Sequence, residues 1–464
     1  MNEVGSSKLA RQLSELYERV NYERQSTAGP RSFKLQTMHD LMHRLGHPHQ
    51  AAPVIHVAGT KGKGSVSKMT GEILRHAGLV TGIYSSPHLE RINQRIAVKD
   101  ELISDEQLSL ILDQIQPAVE ALDEEFAARN ERGLTFFEII TAAGFQHFAN
   151  QEVDAVVLEV GLGGRLDSTN VCQPTVSIIT NISLDHVKQL GDTIAKIATE
   201  KAGIIKPGVP VVSGALHPDA MEVISEVAAD RGAHLFQLGR DMHVTRNESG
   251  DFSCSGNTRE PFDVSGLVCR MPGEHQRANA ALAITACKIL VDQGWKLSDE
   301  HIRSGVASAM LPGRTEILSR SPFIMMDMAH NGASVDALMQ TVATEVSSTS
   351  RKRFIVATTR DKDTAEIIEP LVAIADELIL TRYQENPRGK PIDELAAAVE
   401  ESISHRRDLG QRFPDVQIRE TPEIAWQYLI NSLEDKDAIC IAGSAFLIAE
   451  LRPEVKRWLA EKKR

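Results

Sequence analysis

Residues 53–65 read PVIHVAGTKGKGS, a β-branched run that turns through three glycines and continues into the amphipathic stretch SVSKMTGEILRHAG. A strand that passes through such a loop straight into a helix is a strong constraint. The strand must be buried, and the helix must lie back across its sheet. Gly59, Gly62 and Gly64 let the backbone curl so that its N–H groups face an anion at the helix N-terminus. Lys63 would bring charge to the β- and γ-phosphates of a nucleotide, and the Ser65 hydroxyl could reach Mg²⁺. Gly64 separates Lys63 from Ser65, so the loop departs from the common G-x-x-x-x-G-K-[ST] pattern. A glycine-rich helix cap without a ligand is the alternative, which the added Lys and Ser disfavour.

The chain continues as it starts. VDAVVLEVG (153–161) and TVSIITNI (175–182) read as buried strands, and DEQLSLILDQIQPAVEALDEEFAARN as a helix. Such alternation predicts an α/β fold with a mostly parallel sheet covered on both faces. After LPGRTEIL (311–318) a second alternation begins, with FIMMD (323–327), RFIVATT (353–359), DELILT (376–381) and AICIAG (438–443) as strands. The predicted domains are therefore residues 1–310 and 311–464, with the boundary marked by Pro312 and Gly313. The polar stretch from 240 to 270 is expected to be a solvent-exposed hairpin on the first domain.

The 464-residue chain carries a formal charge of −12, which argues against a broad nucleic-acid or membrane surface. Its five cysteines include no C-x-x-C pair and read as reduced, buried thiols. The N-terminus lacks a signal-peptide core, and no run approaches the ~20 apolar residues that span a bilayer. These features predict a cytoplasmic protein.

Other polar residues stand where apolar ones would be expected. Glu159 ends a buried strand within LEVGLGGRLDSTN, a costly place for a carboxylate without a cation, metal or salt-bridge partner. In SLDHVKQLGDTIAKIATEKAGIIKPG, a helix is predicted over 192–202, stopped by Gly203. Ile194, Ile197, Ala198 and Lys201 share one face of it, so Lys201 continues an apolar stripe. A desolvated lysine loses its proton readily and can then react; a lysine snorkelling to solvent is the alternative. His186 is ambiguous by itself, a core or capping histidine being the usual explanation. His275 and Asn279 lie four apart on a stripe continued by Leu282, Ala286 and Leu290, which suits a ligand site or a buried hydrogen-bond network. Asp327, His330 and Asn331 in DMAHNGAS, and Ser444 in AGSAFLIAEL, sit at strand-to-helix turns, where α/β sheets place their ligands.

VAGTKGKGS, YSSPHLERINQRI, TFFEIITAAGFQHF, LEVGLGGRLDSTN, SLDHVKQLG, EKAGIIK, LPGR, DMAHN and GSAFL occur in an order that resembles the folylpolyglutamate synthase/dihydrofolate synthase family, within the group that includes the Mur ligases. The likeness runs from about Tyr22 to the C-terminal helix. It implies a P-loop NTPase-like domain followed by a smaller Rossmann-like glutamate ligase domain. By that resemblance Gly59, Thr60, Lys61, Gly62, Lys63, Gly64 and Ser65 hold ATP, together with Asn279, Arg314 and Asp327. Ser65, Ser86 and Glu159 would bind one Mg²⁺; Glu159, His186 and a carbamylated Lys201 would bind a second, and a monovalent cation is also implied. Lys63, Glu159, His186 and Lys201 become the catalytic set. Thr135, Phe137 and Asp167 would meet a pterin-bearing folate or pteroate substrate, with His330 and Ser444 near the incoming L-glutamate. Lys61 replaces a frequent asparagine, and Met328 a small residue. A monomer is typical of such relatives.

Two other readings compete with this one. A Mur-type ligase acting on a cell-wall precursor would need a separate N-terminal UDP-binding domain, and only about fifty residues precede the loop. A P-loop protein that binds nucleotide without ligation would have no use for the DMAHN and GSAFL turns or for the residues around Lys201.

Overall fold

The computed structural model describes residues 2–21, 34–248, 250–434 and 436–462, so Tyr22 lies outside the described residues. The chain divides into two compact units, Met1–Arg270 with Arg277–Ala309, and Met271–Gln276 with Met310–Arg464.

The first unit is built on eight strands: β1 (Val54–Ala58), β2 (Thr81–Tyr84), β3 (Ile96–Val98), β4 (Glu101–Leu102), β5 (Ala155–Glu159), β6 (Pro174–Ile179), β7 (Val211–Ser213) and β8 (Leu235–Gln237). Their spatial order is β4-β3-β2-β5-β1-β6-β7-β8. Pairing is parallel from β2 through β8, and β3 and β4 fold back antiparallel at one edge. Every residue of β1 and β5 is buried. Strands covered on both faces are apolar throughout, which is why these two show no alternation. Val57 pairs with Glu159 and Ala58 with Ile179, so β1, β5 and β6 end level. Their following loops share one edge of the sheet, the edge at which parallel sheets bind ligands.

The stretch expected to be a hairpin is instead a three-stranded antiparallel sheet of β9 (Met242–Arg246), β10 (Phe252–Asn257) and β11 (Pro261–Leu267). Met242, Phe252, Cys254, Val264 and Leu267 are buried, and the Thr285 hydroxyl lies 3.1 Å from the Met242 sulfur. Its apolar side chains are thinly spaced among Gly, Ser and charges, which hid the third strand. The helix around Lys201 runs Ile194–Ala202, starting two residues later than expected because the Thr193 side chain caps it. Four cysteines are buried, but Cys269 is half-exposed, contrary to the expectation for all five. It lies in the polar segment just after β11. No helix of the described residues is long and apolar enough to cross a membrane.

The second unit holds a six-stranded sheet of β12 (Glu316–Arg320), β13 (Phe323–Met326), β14 (Arg351–Val356), β15 (Glu377–Leu380), β16 (Asp415–Ile418) and β17 (Asp437–Ala442). The order is β12-β13-β17-β14-β15-β16, parallel except for β12 against β13. Arg353 is fully buried in the middle of it and pairs with Glu377 at 2.6 Å and Asp437 at 2.9 Å. Its guanidinium also donates to the Ser432 carbonyl, and the Tyr428 hydroxyl donates to Glu377. Buried charges are tolerated only with such partners, so this cluster fixes β14, β15 and β17 in register with one another.

His56, in the centre of β1, is fully buried between Thr169 Oγ1 (2.9 Å) and the Cys172 sulfur (3.6 Å). Burial, helped by the charge of Lys206, pushes its pKa down to about 3. Unfolded, it titrates near 6.5. Between those values only the unfolded chain binds the proton, so stability is lost as pH falls from about 6.5 toward 3, at about 1.4 kcal/mol per pH unit. His56→Gln keeps a partner for Thr169 and cannot titrate. In urea unfolding at pH 7 and pH 5, it should lose about 2 kcal/mol less than the unsubstituted protein over that interval.

Candidate active site

The loop after β1 is braced from outside. Gly59 has φ +146°, and a Cβ there would lie 1.7 Å from Thr180 Oγ1. Thr60 N–H donates to the Asn181 carbonyl at 2.8 Å, and the Thr180 hydroxyl donates to the Lys61 carbonyl at 2.7 Å. Gly62 then caps the helix Lys63–His76. The first N–H groups of that helix have no acceptors within it and face an anion favourably. Asn279 packs directly on Gly62: a Cβ at Gly62 would come within 2.4 Å of its Oδ1. Ser65 is buried in the first turn.

Two lysines meet on one carbonyl. The Gly59 oxygen accepts from Lys201 Nζ at 2.8 Å and from Lys63 Nζ at 3.2 Å. Lys201 is 4 % exposed, with Ile197 and Ala198 buried beside it on the predicted face. Burial, then the charge of Lys63, pushes its pKa down to about 7. Lys61, exposed to the same field, pairs with Asp185 at 3.0 Å. A cavity of about 30 Å³ is lined by Gly59, Thr60, Lys63, Gly161–Gly163, Asp185, His186, Leu190 and Lys201. Three of the four expected catalytic residues, Lys63, His186 and Lys201, are thus brought together. His186 has a left-handed backbone (φ +50°) that turns the chain into the short helix Val187–Leu190.

Glu159, the fourth, is buried at the end of β5, outside that cavity lining. The Ser86 N–H lies 3.3 Å from its Oε2, and the Ser86 hydroxyl is buried without a hydrogen-bond partner. A hydroxyl and a carboxylate at one place suit a hard cation such as Mg²⁺. Among the described residues, no three His, Cys, Asp or Glu side chains gather to hold a metal, so any such site needs hydroxyl or modified-lysine donors.

Thr135 forms a capping box with Glu138 at the start of the helix Phe136–Asn150. Phe137 stands edge-on to Tyr84 and lies against Gly161, where a Cβ would be 2.4 Å from its ring. Asp167 is buried and accepts from Leu162 N–H (2.8 Å), Thr169 N–H (3.0 Å) and the Thr169 hydroxyl (2.6 Å). Burial raises its pKa despite those bonds. It ties the glycine loop after β5 to the turn Ser168–Val171.

In the second unit, Asp327 accepts from the N–H groups of Thr315 and Ala329, each at 2.7 Å, and Met328 N–H donates to the Gly313 carbonyl. These bonds lace LPGR to DMAHN, with Arg314 between the two residues, Gly313 and Thr315, that make them. His330 Nδ1 donates to the Met328 carbonyl at 2.7 Å. The helix behind starts at Gly332 and is capped by the Asn331 side chain. Ser444 is buried after β17, and Met326 pairs with Ile441, so it and Asp327 follow adjacent strand ends.

Sequence reasoning missed Asp185 and the Thr180–Asn181 brace. Asp185 precedes His186 in SLDH, and its burial was the signal that could not be read from periodicity.

Profiles of two families match the chain: Mur ligase middle domain over residues 57–287, and Mur ligase, glutamate ligase domain, over 313–445. The parallel sheet with its braced phosphate loop, and the second α/β unit, are those of a Mur-type ligase. The dihydrofolate synthase/folylpolyglutamate synthase of Bacillus subtilis is 36% identical over 430 residues, 91% of this chain and 95% of its own. The enzyme of the same name from Mycobacterium tuberculosis is 33% identical, covering 88% and 84%. Among solved structures, Mycobacterium tuberculosis folylpolyglutamate synthase complexed with ADP matches with TM-score 0.86 and 30% identity, over 97% of this chain and 98% of that one. Escherichia coli FolC in complex with DHPP and ADP matches with TM-score 0.83 and 28% identity, over 98% and 99%. The chain belongs to the folylpolyglutamate synthase/dihydrofolate synthase family.

Gly59→Ala would force a Cβ into Thr180 at a backbone angle that non-glycine residues avoid. Strain of about 1–3 kcal/mol in the loop should weaken ATP binding roughly 10- to 100-fold, as read by isothermal titration calorimetry.

Proposed function

We propose that this protein is an ATP-dependent ligase that joins L-glutamate to a folate-type carboxylate, acting on both dihydropteroate and tetrahydrofolate forms. The observation that carries this reading is the meeting of Lys63 and Lys201 on the Gly59 carbonyl just after β1, with His186 lining the same cavity. Residues 1–310 would bind and activate with ATP, and residues 311–464 would supply the glutamate-side contacts through His330 and Ser444. Thr135, Phe137 and Asp167 would receive the pterin-bearing substrate, and Asn279, Arg314 and Asp327 the nucleotide. The enzyme would act as a monomer in the cytoplasm, where its five free cysteines stay reduced.

The chemistry follows from these groups. The substrate carboxylate attacks the γ-phosphorus of ATP, the bond to the ADP oxygen breaks, and an acyl phosphate forms. Lys63 and the helix N-terminus offset charge that develops on the phosphoryl oxygens. The glutamate amine then attacks the acyl carbon, phosphate leaves, and an amide remains. Ser65, Ser86 and Glu159 would hold one Mg²⁺, and Glu159, His186 and Lys201 a second; when bound, these ions would further neutralise the phosphates.

Lys201 suits carbamylation. Its amine, neutral in part at pH 7, takes up CO₂ to give an N-carboxylate and releases a proton. With ¹³C-bicarbonate, a carbamate carbon resonance is expected in the unsubstituted protein and not in Lys201→Arg. Turnover in that variant should fall about 10²- to 10³-fold. Absence of the resonance from the unsubstituted protein would remove the carbamate from this mechanism.

The activity itself is tested by ADP release from the purified protein with Mg²⁺, ATP and L-glutamate, adding dihydropteroate or tetrahydrofolate separately. Turnover is expected with both. Release no faster than the glutamate-only control with either pterin would overturn the folate assignment.

A further inference from the structure

Away from the loop after β1, the segment HDLMHRLGHPHQ carries His39, His43, His47 and His49 within eleven residues. The helix Leu35–Arg44 ends there, and the chain turns back through His47, whose φ of +61° is left-handed, into the turn Pro48–Gln50. That reversal sets His47 against His43, with Nε2 3.3 Å from Nδ1. A tetrahedral ion with metal–nitrogen bonds of about 2.0–2.1 Å holds two ligand nitrogens about 3.3 Å apart, so this pair already has the required separation. His39 lies four residues before His43 on the same helix, the spacing that puts two histidines on one metal-binding face. All three border an open cavity of about 410 Å³, with Asp40 and His49. His49 is 8 % exposed, and its Nδ1 is buried without a hydrogen-bond partner.

We propose that His39, His43 and His47 form a binding site for a borderline divalent transition ion such as Zn²⁺, tying the helix Leu35–Arg44 to the turn that leads into β1. No three such side chains among the described residues converge at present. His43 and His47 are in place, and His39, exposed at the rim, completes the set by a change of rotamer. Imidazole donors select Zn²⁺, Co²⁺ or Ni²⁺ over Mg²⁺, which prefers oxygen, so this site is chemically separate from the one at Glu159. Val171, the last residue of the turn that Asp167 caps, also lines the cavity, so a bound ion would stiffen one side of that turn.

The test uses the full chain, stripped of metal and then held in excess Mg²⁺. Co²⁺ titration should give the strong visible absorption of a tetrahedral ion at one equivalent, displaced by Zn²⁺. The double variant His43→Gln/His47→Gln should bind Zn²⁺ at least ~100-fold more weakly by calorimetry, and His39→Gln at least ~10-fold more weakly. Both alter exposed side chains, and their ADP release with Mg²⁺ should match the unsubstituted protein. Unchanged Zn²⁺ affinity in either variant, or only the weak absorption of octahedral Co²⁺ in the unsubstituted protein, would overturn the site and leave a histidine–histidine hydrogen bond in its place.

Discussion

The carbonyl oxygen of Gly59 is the point on which the first unit's loop geometry turns. It receives Lys63 from its own loop and Lys201 from a helix more than a hundred residues later. The loop therefore holds its shape through neighbours: β6 ends in the Thr180–Asn181 brace, and Ile194–Ala202 delivers the second amine. Lys61, Lys63 and Lys201 crowd one short stretch, and Asp185 neutralises only the first of them by direct pairing. Like charges so close resist protonation, which adds to burial in lowering the Lys201 pKa. An anion at the adjacent helix N-terminus would relieve that repulsion, the cost of assembling the charges being borne already by the fold.

The second unit solves a different problem. Its sheet carries Arg353, Glu377 and Asp437 in the interior, where ions are costly unless matched. With that cluster fixing three strands, the loops at the other strand ends are free to specialise. Asp327 spends both carboxylate oxygens on backbone N–H groups of two separate loops. Whatever Arg314 and His330 do for a ligand, they do from a frame that this one side chain sets.

Much of this was readable in the chain itself. β1, β5, β13, β14, β15 and β17 stood out because strands buried on both faces are continuous apolar runs. Lys201 stood out because helical spacing placed it on the stripe of Ile197 and Ala198, and its burial gives that placement its chemical meaning. Other features depend on tertiary packing and left weaker traces. The sheet β9-β10-β11 buries few side chains per strand, so its pattern was diluted by Gly and Ser. Asp185 looks like any loop acid until Lys61 is brought to it across the sheet edge. Thr135 and Asp167 were singled out for a substrate, yet their visible bonds are to a helix cap and a turn. Such residues can shape a pocket by ordering the backbone around it.

The distribution of thiols has a practical side. Burial pushes Cys172, Cys254 and Cys287 up to about 12 and raises Cys440 further, so none of the four offers a thiolate near neutral pH. Cys269 alone is half-exposed, two residues before the chain passes from the first unit into Met271 of the second. A maleimide fluorophore would therefore attach at a single address without any cysteine being engineered away. It would sit at the point in the chain where the first unit gives way to the second.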